Sequence, residues 1–97
     1  MSEDHEKLYL AGVGGRIRTA RDAAELKLEE LARLSGLSVS ALSLIETGKR
    51  DLRVTTLRRI AEALRAAPGA LLEPRRDAGP AKRPPADDEG YDLGDYN

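Results

Sequence analysis

Up to about Leu72, apolar residues recur at the spacing of helices rather than strands. Val13, Ile17, Ala20 and Ala24 fall on one face of a first helix, with Arg16, Arg18 and Arg21 alongside. Gly12, Gly14 and Gly15 leave its beginning open, because each glycine costs about 1 kcal/mol relative to Ala inside a helix. A second helix is predicted from near Leu28 to Leu34, burying Leu31 and Ala32. Ser35-Gly36-Leu37-Ser38 then makes a turn in which Gly36 can take the left-handed conformation that closes a helix. Ser38 suits the cap of a third helix, Val39 to Thr47, whose inward residues are Leu42 and Ile45. Gly48 ends that helix, and Lys49 to Arg53 form a loop. A fourth helix runs from about Val54 to Ala66, with Leu57, Ile60, Ala61 and Leu64 at core spacing. Pro68 suits the first turn of a short fifth helix carrying Leu71 and Leu72. The pattern predicts an all-α, five-helix domain.

The remainder of the chain is of a different kind. From Pro74 onward there is neither helical nor strand periodicity, four of the five prolines lie here, and apolar groups are too few to offset the entropy of ordering. The expected organisation is a partly ordered N-terminal extension (1–12), a helical domain (13–73) and a disordered acidic tail (74–97). Residues 87–97 alternate acidic with apolar or aromatic groups, which suits a solubilising tail. Such a segment can also fold on a protein partner or compete with phosphates for a basic face.

Composition narrows the function classes. With no Phe or Trp, and only Tyr9, Tyr91 and Tyr96 as aromatics, the core is built from Leu, Ile, Val and Ala. A core this small has a thin stability margin that oligomerisation often relieves. There is no Cys, and His5 is the only histidine, which excludes thiolate metal sites and the usual zinc and Ser-His arrangements. Gly12-Val13-Gly14-Gly15 follows no strand and lacks the Lys-Ser/Thr ending of a phosphate loop, so a helix start or a packing glycine is expected. Glu29 and Glu30 adjoin no ligand cluster, so an exposed helix face is expected. No nucleophile–base pair can be argued, and neither an enzyme nor a cofactor is expected. The chain has no apolar run of membrane-spanning length, and its first residues lack signal-peptide character, which points to a cytoplasmic, nucleoid-associated protein without a membrane partner. The net charge is −1, but Gly14 to Arg76 holds 13 basic and 8 acidic residues, while Asp77 to Asn97 holds two basic against six acidic. A basic body with acidic ends permits nucleic-acid binding without requiring it.

The informative stretch is 28–47. Ala32 lies where two helices would cross, Gly36 turns the chain, and Leu37 plugs the corner. Leu31, Leu42 and Ile45 complete an apolar wedge that fixes the interhelical angle. Such a unit projects its second helix from the surface, where it can enter the major groove.

On these residues the chain resembles the lambda repressor-like helix-turn-helix family, the Cro and XRE-type regulators. Gly14-x-x-Ile17-Arg18-x-x-Arg21 resembles the family's first helix. Leu31-Ala32, Gly36-Leu37-Ser38, Leu42-Ser43-x-Ile45-Glu46-x-Gly48-Lys49-Arg50 and Leu57-x-x-Ile60-Ala61-x-x-Leu64 resemble the blocks that follow. The resemblance implies that Arg21 and Glu46 join the first helix to the end of the third; the plainer alternative is two solvated surface charges. It implies phosphate contacts from Arg18, Lys49, Arg50 and Arg53, aided by the N-termini of the second and third helices. Base reading falls to Val39, Ser40, Ser43 and Leu44, and a homodimer is expected to form through residues 68–72 on a palindromic operator in double-stranded DNA. Arg50 to Leu57 looks somewhat like the restriction-modification controllers.

The sequence departs from the family in its reading helix. Leu28 stands where Gln is common, Leu44 where Arg, Lys or Gln often appears, and Lys27 where Ser or Thr usually caps. The third helix has no Arg, Lys, Asn or Gln, the side chains suited to bidentate base contacts, so selectivity would rest on two serines, thymine methyls and DNA shape. Two alternatives stay open. Val39, Leu44 and Leu28 could form an exposed patch for a protein partner, making the domain an adaptor, or Leu28 and Leu44 could fold back on the domain.

Overall fold

The computed structural model describes residues 3–74, which form five helices: α1 (Glu3–Ala23), α2 (Leu28–Ser35), α3 (Val39–Glu46), α4 (Val54–Leu64) and α5 (Pro68–Leu72). No strand occurs among the described residues, and the fold is all-α, as the periodicity predicts. The core holds Val13, Ile17, Leu31, Ala32, Leu42, Ile45, Leu57, Ile60, Ala61 and Leu71, so every helix contributes to it. α1 packs against α3 and α5, and α2 packs against α3 and α4. The acidic tail lies outside the described residues apart from Pro74.

α1 departs from expectation at both ends. It begins at Glu3 and passes without a break through Gly12, Gly14 and Gly15, so the boundary drawn at 12/13 falls inside a helix. Of those glycines it is Gly14 whose propensity cost is offset by packing, since it is buried against the end of α3. Ala24, placed on the core face by its spacing, lies beyond the helix and is exposed; Leu26 packs on the core instead.

The reason is a closing turn that recurs at four helix ends. The amide of Leu26 donates to the carbonyl of Arg21 (3.1 Å), Leu37 to Ala32 (2.8 Å), Lys49 to Leu44 (2.9 Å) and Ala66 to Ala61 (2.9 Å). In each case the residue before the donor has a positive φ: Glu25 (60°), Gly36 (74°), Gly48 (75°) and Arg65 (57°). This six-to-one bond satisfies a carbonyl that a helix end would leave open. It also explains why α4 stops at Leu64 rather than continuing to Ala66: Arg65 leaves the right-handed region there. α5 is tied down differently. Arg16 donates from Nε to the carbonyl of Leu71 (2.8 Å) and from Nη2 to that of Leu72 (2.9 Å), so a side chain of α1 closes the short last helix.

Candidate nucleic-acid interface

The unit α2–turn–α3 is held by few contacts, each with a clear cause. Ala32 is buried, and Gly36 takes the left-handed conformation its turn requires. Leu37 is half-buried against the core, where Leu31, Leu42 and Ile45 are fully covered. Both ends of α3 are fastened. Ser38 Oγ accepts a hydrogen bond from the amide of Ala41 (3.0 Å), the expected cap. At the other end the Gly48 turn closes the helix, and Thr47 Oγ1 donates to the carbonyl of Ser43 (2.9 Å). α2 is capped from within: the Glu30 carboxylate accepts from the amide of Lys27 (2.7 Å). A lysine ammonium has no acceptor, so this is one half of a capping box, and Glu30 is more than the plain surface charge its sequence context suggested.

α1 fixes the orientation of α3. A Cβ on Gly14 would collide with the carbonyl oxygen of Ile45 and lie 2.6 Å from that of Glu46, so the two backbones meet with no side chain between them. One turn and two turns further along the same face stand Arg18 and Arg21. Arg21 donates from Nε to Glu46 Oε2 (2.8 Å) and from Nη2 to Oε1 (3.1 Å), a bidentate pair with side chains 13% and 6% exposed. Its Nη1 also donates to the carbonyl of Leu26 (2.9 Å). The hydrogen bonds that Arg21 donates to Glu46 raise its pKa above the ordinary value, against the opposing effect of desolvation. Glu46 sits at the negative end of the α3 dipole, where a carboxylate is poorly placed without such a cation.

The residues expected to read bases form one outward surface. Val39, Ser40, Ser43 and Leu44 are all exposed, and the two serine hydroxyls make no hydrogen bond among the described residues. Arg18, Lys49, Arg50 and Arg53 are also exposed and form no ion pair among the described residues. Leu28 folds back and packs on the core, whereas Val39 and Leu44 remain 41% and 40% exposed. The apolar patch is therefore smaller than the three residues first grouped. The helix N-termini also differ. α2 carries Glu29 and Glu30 in its first turn, a poor setting for a phosphate, while α3 has no acid there.

Sequence reasoning missed one device. The role of Arg16 depends on carbonyls 55 and 56 residues away, which no local pattern reveals. The readings of Gly12 to Gly15 include a packing glycine, and that role falls to Gly14.

Comparison with known proteins agrees with this geometry. The model of the helix-turn-helix family matches residues 17–71, over half of the chain. The HTH-type transcriptional repressor RghR of Bacillus subtilis (strain 168) is 38% identical over 53 residues, which are 54% of this chain and 39% of that protein. The chain thus spans well under half the length of that relative. The crystal structure of the restriction-modification controller protein C.AhdI from Aeromonas hydrophila has a TM-score of 0.63 at 37% identity, covering 64% of this chain and 94% of that one. The structure of FeII HppE in complex with substrate has a TM-score of 0.62 at 29% identity over 67% of this chain but 38% of its own. The fold therefore also occurs as a segment of a longer protein of another kind.

Proposed function

The chain belongs to the lambda repressor-like, Cro/XRE-type helix-turn-helix family, and from that premise we propose that it is a transcription regulator that binds double-stranded DNA with α3 in the major groove. The observation that supports this most is the outward face of α3. Four exposed side chains stand on a helix fastened at both ends, and the exposed Arg18 of α1 and Lys49, Arg50 and Arg53 of the loop that follows α3 form no ion pair among the described residues. Arg18, Lys49, Arg50 and Arg53 contact phosphates, which supply most of the affinity. Ser40 and Ser43 offer hydroxyls to base edges, and Val39 and Leu44 offer apolar contact to thymine methyls. The protein acts as a homodimer on a palindromic operator, with the copies joined in the region 68–72, and works in the cytoplasm where the DNA is. The families named above and the absence of a nucleophile–base pair in the site both favour regulation over catalysis.

Selecting bound fragments from a random duplex library tests the reading. A consensus with two related half-sites about one helical turn apart is expected. A second reading rests on Val39 and Leu44: an α3 without Arg, Lys, Asn or Gln but with exposed apolar groups also suits a protein partner. No retention of any duplex at low salt would defeat the first reading in favour of the second.

A further inference from the structure

The surface that α5 offers a second copy is smaller than its sequence suggests. Leu71 is buried and Leu72 half-buried, leaving Pro68, Gly69 and Ala70 as the body of its exposed side. Beside it lies a larger apolar surface that shares one residue, Arg53, with the proposed phosphate contacts. Leu72 also lines an open groove of about 600 Å³ between the first turns of α1 and the start of α4. Leu10, Val13 and Leu57 lie along its bottom, and Tyr9 and Val54 stand at its sides, 49% and 81% exposed. Leu8, next to Tyr9, is 71% exposed. Each wall carries one acid and one base: Glu6 and His5 on α1, Asp51 and Arg53 on the loop before α4.

We propose that a second copy of this chain fills the groove about a two-fold axis, so that the dimer surface runs from α5 across the groove to the N-terminal turns of α1. The proposal rests on the reading of the protein as a dimeric regulator and names the surface that joins the copies. A two-fold axis sets a surface against itself. With the axis along the groove, the α1 wall of one copy faces the loop wall of the other, and Glu6 meets Arg53 while His5 meets Asp51, in both directions; the five N–H donors of Arg53 allow it to serve a carboxylate and a phosphate together. Tyr9 and Val54 supply the anchors, a ring with a polar tip and a β-branched side chain with no other cover. The acidic segment 87–96 fits less well, because it would bring Asp87, Asp88, Glu89, Asp92 and Asp95 to a rim that already holds two carboxylates. The α1 wall also lies before residue 17, outside the stretch that matches the family, whereas the loop wall lies within it.

Sedimentation equilibrium across the micromolar range, with helicity checked by circular dichroism, tests this on the full chain. The double substitution Tyr9→Glu and Val54→Glu is expected to weaken self-association at least about tenfold with helicity unchanged, and Ala70→Arg to weaken it less. Glu6→Arg should weaken the dimer, and Arg53→Glu in the same chain should restore it. An unaltered dimer in the Tyr9→Glu, Val54→Glu variant overturns the groove; if Ala70→Arg then breaks it, α5 alone joins the copies and the dimeric regulator stands. A wild-type chain that is monomeric throughout overturns the dimer reading and this inference with it. Stronger self-association after cutting the chain at Arg76 would instead identify the tail as the groove's occupant and overturn the second copy in the full chain.

Discussion

Gly14 and Gly15 are neighbours in one helix yet meet opposite surroundings, and that difference can be measured. An alanine in a helix interior gains up to about 1 kcal/mol over glycine. At Gly15 a Cβ meets nothing within 4 Å, so Gly15→Ala is expected to stabilise by about 0.5–1 kcal/mol. At Gly14 the same Cβ runs into the backbone carbonyls of Ile45 and Glu46, which can move only if α3 moves. Gly14→Ala should therefore destabilise by about 1–3 kcal/mol despite the better propensity. Urea denaturation of the two variants reads both signs, and two equal gains would mean that α1 and α3 are not in backbone contact. The Arg21–Glu46 pair follows a related logic. Removing the arginine leaves a carboxylate 6% exposed without its bidentate donor, so Arg21→Ala should cost roughly 2–3 kcal/mol, toward the lower end for a buried pair because Arg21 is 13% exposed. A raised arginine pKa gives stability that is fully present below the ordinary value and lost only as pH rises through the folded one. The arginine therefore makes no stability change near neutrality, and the urea midpoint difference between wild type and Arg21→Ala should be flat from about pH 6 to 9 on the arginine's account.

At the scale of elements, helix existence was legible and helix ends were legible only where glycine marked them. Gly36 and Gly48 occupy left-handed positions that their residue type allows cheaply, and the ends of α2 and α3 fall within a residue or so of expectation. Glu25 and Arg65 take the same conformation without that allowance, so nothing in their side chains announced the ends of α1 and α4. What fixes them is tertiary: Leu26 and Ala66, the residues after the turns, are partly covered by the fold. An L-residue other than glycine in this region costs about 1–2 kcal/mol, partly offset by glycine's larger entropy loss on folding. Arg65 is exposed and forms no ion pair among the described residues, so Arg65→Gly should raise stability by about 0.5–1 kcal/mol, or a few degrees in Tm. A lower Tm would mean that the arginine side chain stabilises the fold through contacts beyond the turn. The outward face of α3 was readable for a simpler reason: once Leu42 and Ile45 are assigned inward, helical geometry leaves Val39, Ser40, Ser43 and Leu44 outside.

For the whole molecule, charge decides more than shape. A chain of net charge −1 would be repelled by DNA if its charges were spread evenly, but bases outnumber acids in the helical body and acids outnumber bases at the ends. Phosphate contacts release counterions, so each true contact contributes roughly 0.9 to the slope of log affinity against log salt. Lys49, Arg50 and Arg18 have no ion pair among the described residues that would compete with a phosphate. Arg50→Ala is accordingly expected to weaken binding by a similar factor on every duplex and to shallow the salt slope by up to about one unit. Leu44→Ala should act differently, altering which duplex is preferred and leaving the slope unchanged, because it removes a contact to bases rather than to phosphate. Titrating both variants against the selected duplex and a scrambled one, at several salt concentrations, separates the two effects. If Leu44→Ala moves the slope while Arg50→Ala moves the preference, α3 does not lie in the groove as proposed. If neither variant changes either quantity, the duplex is held by some other face, and the exposed Val39 and Leu44 are left for a protein partner.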